Sequence, residues 1–251
     1  MNKKNIKEYF SGKNTVYKWW DPHNSDKREV YLRQEQIIEK IVKERDLRKI
    51  IDISSGRGRY AVLLSKGRDY TCFDISQQML DYIKRLKLNV KLVKGDAEKI
   101  RLKEKFDLVL CSEALVHYPH PEKALKEMKR ILNKKGIIII TADNRLCLGK
   151  IIRLLTNFVS KLSGKEIKHL GNDIYQPYTD KEYKKMFSNQ NLKVKRTIRL
   201  SILTTPLKNR KGNYILSPNI SKNLLFIDYF LEKIPLINKL STYFIYVLEN
   251  E

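Results

Sequence analysis

Cysteine is scarce in this chain of 251 residues. Cys72, Cys111 and Cys147 are the only three, at wide spacings and with no Cys-x-x-Cys. That excludes a disulfide framework and a zinc site built on cysteine pairs. Cys72 and Cys111 sit inside apolar runs and read as small buried hydrophobes. Histidine is equally scarce, at four, and no ligand spacing suggests a metal. A long apolar run is missing too: no stretch of about 20 uncharged apolar residues could span a membrane. The opening MNKKNIKEYF lacks the apolar segment of a signal peptide. These absences lead us to expect a protein of the reducing cytoplasm. Acids are the last shortage, 28 against 51 Lys plus Arg, for a net charge of +23. Nearly half of that excess lies in residues 145–251. Such a field favours anionic partners, whether RNA, an acidic membrane surface or a charged small molecule, or it serves solubility alone.

What is present is globular. Hydrophobic residues make up 42%, enough in a chain this long to bury a core without staples. The length suits one large domain, or one with an appendage. Residues 26–45 place Val30, Leu32, Ile37, Ile38, Ile41 and Val42 at helical spacing, with charges opposite. Lys49–Ile53 then reads as a buried strand, ended by a glycine-containing turn. Helical spacing returns over 59–66. The alternation repeats: Tyr70–Phe73 as strand, a helix capped by Ser76, Asn89–Val93 and Phe106–Cys111 as strands. A helix over 121–132 follows, with Pro at its start, and Gly136–Thr141 is the most apolar strand. Strands alternating with helices predict a doubly wound α/β parallel sheet with helices on both faces. Beyond residue 142 the pattern changes. Residues 146–162 read as a cationic amphipathic helix, 179–189 as a capped helix, 192–204 as an alternating strand, 205–221 as loop and 242–248 as a last strand. Residues 223–237 are strongly apolar. The organisation expected is a helical cap over 1–46, a cofactor-binding core over 47–145 and a lid over 146–180. Residues 181–251 complete the same domain and carry an apolar insertion at 205–238.

Each strand of the first half ends in a small or acidic residue, and ligands of open parallel sheets bind beyond those carboxyl ends. The turn Asp52-Ile53-Ser54-Ser55-Gly56-Arg57-Gly58 lets a ligand approach the backbone. The second strand ends at Asp74, where an acid can accept both hydroxyls of a ribose. The third ends at Gly95-Asp96-Ala97, where a second acid can accept from an adenine amine. A pyrophosphate would be poorly placed among Asp52, Asp74 and Asp96, so the pattern fits an adenosine without one.

The segments IIDISSGRGRY, YTCFDISQQML, VKLVKGDAEKI and FDLVLCSEALVHYPHPEKALKEMKRILNKKGIIIIT resemble, in order, the motifs of class I S-adenosylmethionine-dependent methyltransferases of the type 11 group. HLGNDIYQPYTDKEYKKMFSNQNLKVK and TYFIYVLEN resemble the family's lid, following helix–strand and last strand. The resemblance implies a seven-stranded, mostly parallel, Rossmann-like sheet with its last strand antiparallel, a helical N-terminal extension and lid insertions. It implies S-adenosylmethionine as cofactor, with S-adenosylhomocysteine as product. Asp52 with Ser54, Gly56 and Gly58 would hold the methionine part. Asp74 would bind the ribose, with Ile75 and Met79 against the adenine. Asp96 would face the adenine amine beside Ala97 and Glu98. Cys111, Ser112 and Glu113 would floor the sulfonium, and Tyr17 would close the site. One departure stands out: the family's Gly-Cys-Gly is Ser54-Ser55-Gly56 here.

The acceptor half is less constrained: the methyl is expected on an oxygen or a nitrogen, and less readily on a carbon, by in-line displacement. His117 follows the fourth strand and is a candidate base for a hydroxyl acceptor, with His23, His169, Tyr175 and Tyr178 as others. The parts outside the core are rich in aromatics, Trp19, Trp20, Phe158, Tyr214, Phe226 and Phe230 among them, which suggests a bulky or lipid-like acceptor; the resemblance implies a small molecule such as a quinone precursor or a sugar. The basic helix over 146–162 could rest on an anionic membrane as a peripheral attachment, or pack as a lid on the core. RNA methylation is the alternative, with Lys193, Lys195, Arg196, Arg199, Lys208, Arg210 and Lys211 as a phosphate stripe. A third reading is a cofactor-binding module without turnover.

Overall fold

A computed structural model describes residues 8–9, 29–152, 154, 175–204 and 217–251. Tyr17, His23, His169, Phe158, Tyr214 and the second basic cluster at 208–211 lie outside the described residues, as does most of the amphipathic stretch 146–162. Helix α1 (Glu29–Glu44) leads into strand β1 (Lys49–Ile53) and helix α2 (Arg59–Leu64). Strand β2 (Asp69–Asp74), helix α3 (Gln77–Arg85) and strand β3 (Lys91–Lys94) follow. Then come β4 (Phe106–Ser112), a 3-10 turn (Leu115–His117), α4 (Pro121–Arg130) and β5 (Leu132–Asp143). The last elements are α5 (Asp180–Asn189), β6 (Leu192–Leu200), α6 (Pro218–Leu231), a second 3-10 turn (Ile237–Leu240) and β7 (Tyr243–Asn250).

The sheet has seven strands in the order β3-β2-β1-β4-β5-β7-β6. The first five pair in parallel, and β7 runs antiparallel between β5 and β6. This is the expected doubly wound sheet with an antiparallel last strand. The central strands are apolar on both faces, as burial under two helix layers demands. Ile51, Ile53, Val109, Ile138 and Ile140 fill one layer, and Ile50, Leu108, Leu110, Ile137 and Ile139 the other. The order reverses between β1 and β4, so the carboxyl ends of these strands flank the topological switch point.

Several boundaries differ from the sequence reading. β5 begins at Leu132 rather than Gly136. Leu132 pairs with Phe106, and the register shifts before Leu108 meets Ile137; Gly136 sits where a Cβ would meet main-chain oxygens of Phe106 and Asp107 at 2.9 and 3.0 Å. The stretch read as loop to residue 221 already contains α6, because Ser217 is an N-cap whose hydroxyl accepts from Ile220 N–H. The expected charged face of α1 is partly inside. Arg33, Gln34 and Glu35 are buried, Arg33 in a two-pronged pair with Glu232 at 2.9 and 2.6 Å and against the Tyr229 ring at 4.0 Å.

Candidate cofactor and acceptor site

A cavity of about 190 Å³ opens at the carboxyl ends of β1, β2, β3 and β4. The turn after β1 forms its floor. Ser54 and Ser55 N–H both donate to Phe73 carbonyl, at 2.7 and 3.2 Å, which fastens the turn to β2. Gly56 (φ 53°) and Gly58 (φ 83°) are left-handed, and a Cβ at Gly56 would meet no protein atom within 4 Å. The backbone there is bare toward open space, so a ligand can lie against it. Ser54, which stands where the family has glycine, is also left-handed at φ 58°. Its hydroxyl is 2.8 Å from that of Tyr118, which is 3.7 Å from the Cys111 sulfur. The extra side chain is thus turned to the far wall and spent on a hydrogen bond.

Asp52 is buried, and the Tyr70 hydroxyl donates to it at 3.1 Å. Burial pushes its carboxyl up to about 7, the Tyr70 bond works against that, and Asp74 adds to it. Asp74 accepts from Gly56 N–H through one oxygen and from Ser76 N–H through the other, both at 2.9 Å. Burial raises it to about 6, against these amides. A carboxylate offers about four acceptor positions, so both oxygens keep capacity for a ligand hydroxyl. Asp96 and Glu98 share a tight turn in which Glu98 N–H donates to Asp96 at 2.9 Å. Glu98 in turn accepts from His120 N–H at the start of α4. Ile75, Met79 and Ala97 supply apolar wall between these acids.

The structure thus gathers Asp52, Ser54, Gly56, Asp74, Ile75, Met79, Asp96, Ala97, Glu98, Ser112, Glu113 and His117 around one cavity. Gly58 and Cys111 stand behind its wall. Cys111 is fully buried, and burial pushes its thiol up to about 12. Sequence reasoning missed Arg59, Tyr60 and Tyr118, which also line the cavity. Arg59 is buried at the start of α2. It donates to Glu35 at 3.0 Å, to Gln34 at 3.2 Å and to Tyr31 carbonyl at 2.8 Å on α1, and lies 3.5 Å from Glu113. Glu113 is held at φ 54° by two bonds to Thr141. Burial raises its carboxyl to about 7; Arg59 pulls it down and Asp143 pushes it up.

Three buried acids over a bare glycine turn form a site for a polar cation with hydroxyl groups. Such a ligand repays the burial cost of the carboxylates, which a second anion would increase. A sulfonium nucleoside with an amino-acid tail has the right chemistry, so the residues present fit S-adenosylmethionine. Among the described residues no group of three or more His, Cys, Asp or Glu is placed to hold a metal, and no helix is long and apolar enough to cross a membrane. Of the basic stripe on β6, Lys195 pairs with Glu249 at 3.4 Å and Arg199 with Asp180 at 2.8 Å, which removes half of its described charge from service to a phosphate.

Comparison with known proteins agrees with this geometry. Residues 51–140 match a family described as a methyltransferase domain. The chain is 26% identical over 166 residues to a ubiquinone biosynthesis O-methyltransferase of Pelagibacter ubique (strain HTCC1062), covering 58% of this chain and 68% of that protein. It is 31% identical over 128 residues to a demethylmenaquinone methyltransferase of Staphylococcus aureus (strain JH9), covering 47% of this chain and 53% of that protein. Among solved structures, magnesium protoporphyrin IX methyltransferase of Synechocystis PCC 6803 with bound SAH superposes with a TM-score of 0.60 at 14% identity, covering 100% of both chains. The plantazolicin methyltransferase in complex with a triazolic analogue and SAH gives 0.60 at 15% identity, over 98% of this chain and 95% of that one. The match to a methyltransferase domain thus falls on the strands that carry the acids.

Proposed function

We propose that this chain transfers the methyl group of S-adenosylmethionine to a hydroxyl oxygen of a small, apolar, ring-bearing acceptor of the quinone-precursor class. One observation carries the reading: a single cavity is lined by the acids and the bare turn and also by Ala114, His117, Tyr118 and Pro119. The first set suits the cofactor and the second a flat, largely apolar molecule with one polar group. The name of the Pelagibacter ubique relative supports both the oxygen and the quinone class, and that of the Staphylococcus aureus relative the quinone class alone.

When bound, the cofactor supplies a methyl carbon on a positively charged sulfur, ready for in-line displacement. The chain's own residues hold and exclude. Asp74 takes the ribose hydroxyls with the oxygen capacity that Gly56 and Ser76 leave. Asp52, fixed by Tyr70, faces the positive amino-acid end. Met79 and Ile75 pack on the base. His117 stands at the acceptor end and takes the hydroxyl proton. Fixing the two partners in line supplies most of the acceleration, and the base adds to it.

The test is transfer of tritiated methyl from S-adenosylmethionine to three sets of acceptors: hydroxylated aromatics with apolar tails, bulk tRNA, and anionic phospholipid vesicles. Label in an aromatic, recovered as a methyl ether by mass spectrometry, is expected. Label confined to tRNA or to lipid would overturn the reading.

A further inference from the structure

The acceptor end of the cavity adjoins a polar cluster that none of the steps above uses. β5 ends at Asp143, next to the end of β4, where Ser112 pairs with Thr141. The chain returns to this edge at Tyr175. Gln176 N–H donates to Val116 carbonyl at 2.9 Å, which clips the returning segment to the 3-10 turn bearing His117. The Tyr175 ring lies against the His117 imidazole, with centres 5.8 Å apart and planes at 50°. The Tyr175 hydroxyl donates to Asp143 Oδ2 and accepts from Lys150 Nζ at 3.3 Å. Lys150 also donates to Asn144 carbonyl at 3.0 Å, and the Tyr183 hydroxyl to Asp143 carbonyl at 3.1 Å.

We propose that Asp143, anchored by Tyr175 and Lys150, is a positioning residue that stabilises the protonated form of His117, while Tyr175 fixes the tilt of the ring. The inference rests on the reading of His117 as the base for a hydroxyl acceptor. In that step the acceptor O–H bond breaks and its proton passes to a ring nitrogen of His117. The oxygen's electron pair forms the bond to the methyl carbon, and sulfur keeps the pair of the bond that breaks. Asp143 itself takes no proton in this step. Tyr175 touches both groups, its ring against the imidazole and its hydroxyl on the carboxylate, and a nearby carboxylate favours the charged ring.

The groups facing Asp143 come from every element around it: Lys150, Tyr175 and His117, Glu113 after β4, Tyr31 of α1, Tyr183 of α5 and Tyr243 of β7. Burial pushes the Asp143 carboxyl up, and Tyr175, Lys150 and His117 hold it back. Glu113 is the opposing anion, and the guanidinium of Arg59 lies beside it. Asp143 is therefore the acid whose partners lie on the histidine side.

The experiment is an NMR titration of the histidine ring signals in the full chain. Only four histidines are present, and His117→Asn identifies the signal of interest by its loss. Asp143→Asn is expected to lower the His117 pKa by about 0.5–1 unit and to leave the other rings unchanged. Tyr175→Phe is expected to shift it the same way by less, and it keeps the test available if Asp143→Asn does not fold. An unchanged His117 pKa in the folded variants overturns the proposal. With an acceptor in hand, the acidic limb of the kcat profile is expected to move down by the same amount in Asp143→Asn. A limb that stays in place while the ring pKa moves overturns the catalytic part. Because the titration needs no substrate, failure to find an acceptor would leave its result standing.

Discussion

Ser54 offers a sharp perturbation, because two effects of known size oppose each other there. A non-glycine residue at φ 58° carries a left-handed penalty of about 1–2 kcal/mol. Its hydroxyl recovers about 0.5–1.5 kcal/mol through the 2.8 Å bond to Tyr118. Ser54→Ala keeps the penalty and loses the bond, leaving the buried Tyr118 hydroxyl with only the Cys111 thiol at 3.7 Å. A loss of about 1–2 kcal/mol is expected. Ser54→Gly also loses the bond but relieves the backbone, so it should lie about 1 kcal/mol above Ser54→Ala and within about 1 kcal/mol of the parent. Urea unfolding reads this as a shift in midpoint at constant slope; in a chain of this size 1 kcal/mol is about 2–4 °C in Tm. Tyr118→Phe breaks the same bond from the other side, so the double variant with Ser54→Ala should cost less than the sum by about 1 kcal/mol. Equal stability of Ser54→Ala and Ser54→Gly, or strict additivity with Tyr118→Phe, would refute the account of this turn.

Three further outcomes follow from the charges at the site. Asp52, Asp74 and Glu113 have carboxyls raised to about 7, 6 and 7, so the folded state binds more protons than the unfolded chain between about pH 4 and 7. Stability from these groups is full below the unfolded carboxylate pKa and is lost as pH rises through the folded values, by at most about 1.4 kcal/mol per pH unit for each. Ligand-free protein should accordingly melt lower at pH 7.5 than at pH 5.5. The cationic cofactor should bind more tightly across the same rise and release protons, which calorimetry in buffers of different ionisation enthalpy detects. Arg59→Met leaves Glu35 and Glu113 without their buried cation. It should destabilise the chain by about 3–5 kcal/mol, read as a lowered urea midpoint; a loss under 1 kcal/mol would show that the network relaxes at little cost.

β1, β2, β4 and β5 were legible in the sequence because each is largely buried on both faces and runs into Asp or Ser, a pattern set locally; β3 is only half-buried and was marked by the Gly95-Asp96 that follows it. Helix α6 was not. Its start, Ser217-Pro218, has the composition of a loop, and its apolar residues do not sort to one face: Phe226 and Phe230 are exposed while Asp228 is fully buried. Asp228 is inside because it accepts from Ile202, Leu203 and Thr204 N–H at 3.2, 2.7 and 3.1 Å, partners over twenty residues away. Arg59 was invisible for the same reason. Its cation is matched by Glu35 on the preceding helix and by Glu113 after β4, and no window of sequence contains all three. Tyr118 stood beside His117 in the quoted motif, and only the three-dimensional turn brings it to Ser54.

The central claim, a cofactor site built on the acids at the strand ends, is tested most directly by calorimetric titration of the full chain with S-adenosylhomocysteine and S-adenosylmethionine, alongside Asp74→Ala. Micromolar binding by the parent is expected, weakened about 10- to 150-fold by the substitution, as the loss of charge-assisted hydrogen bonds worth roughly 1.5–3 kcal/mol requires. No binding by folded parent protein, or equal affinity in a folded Asp74→Ala variant, would contradict it.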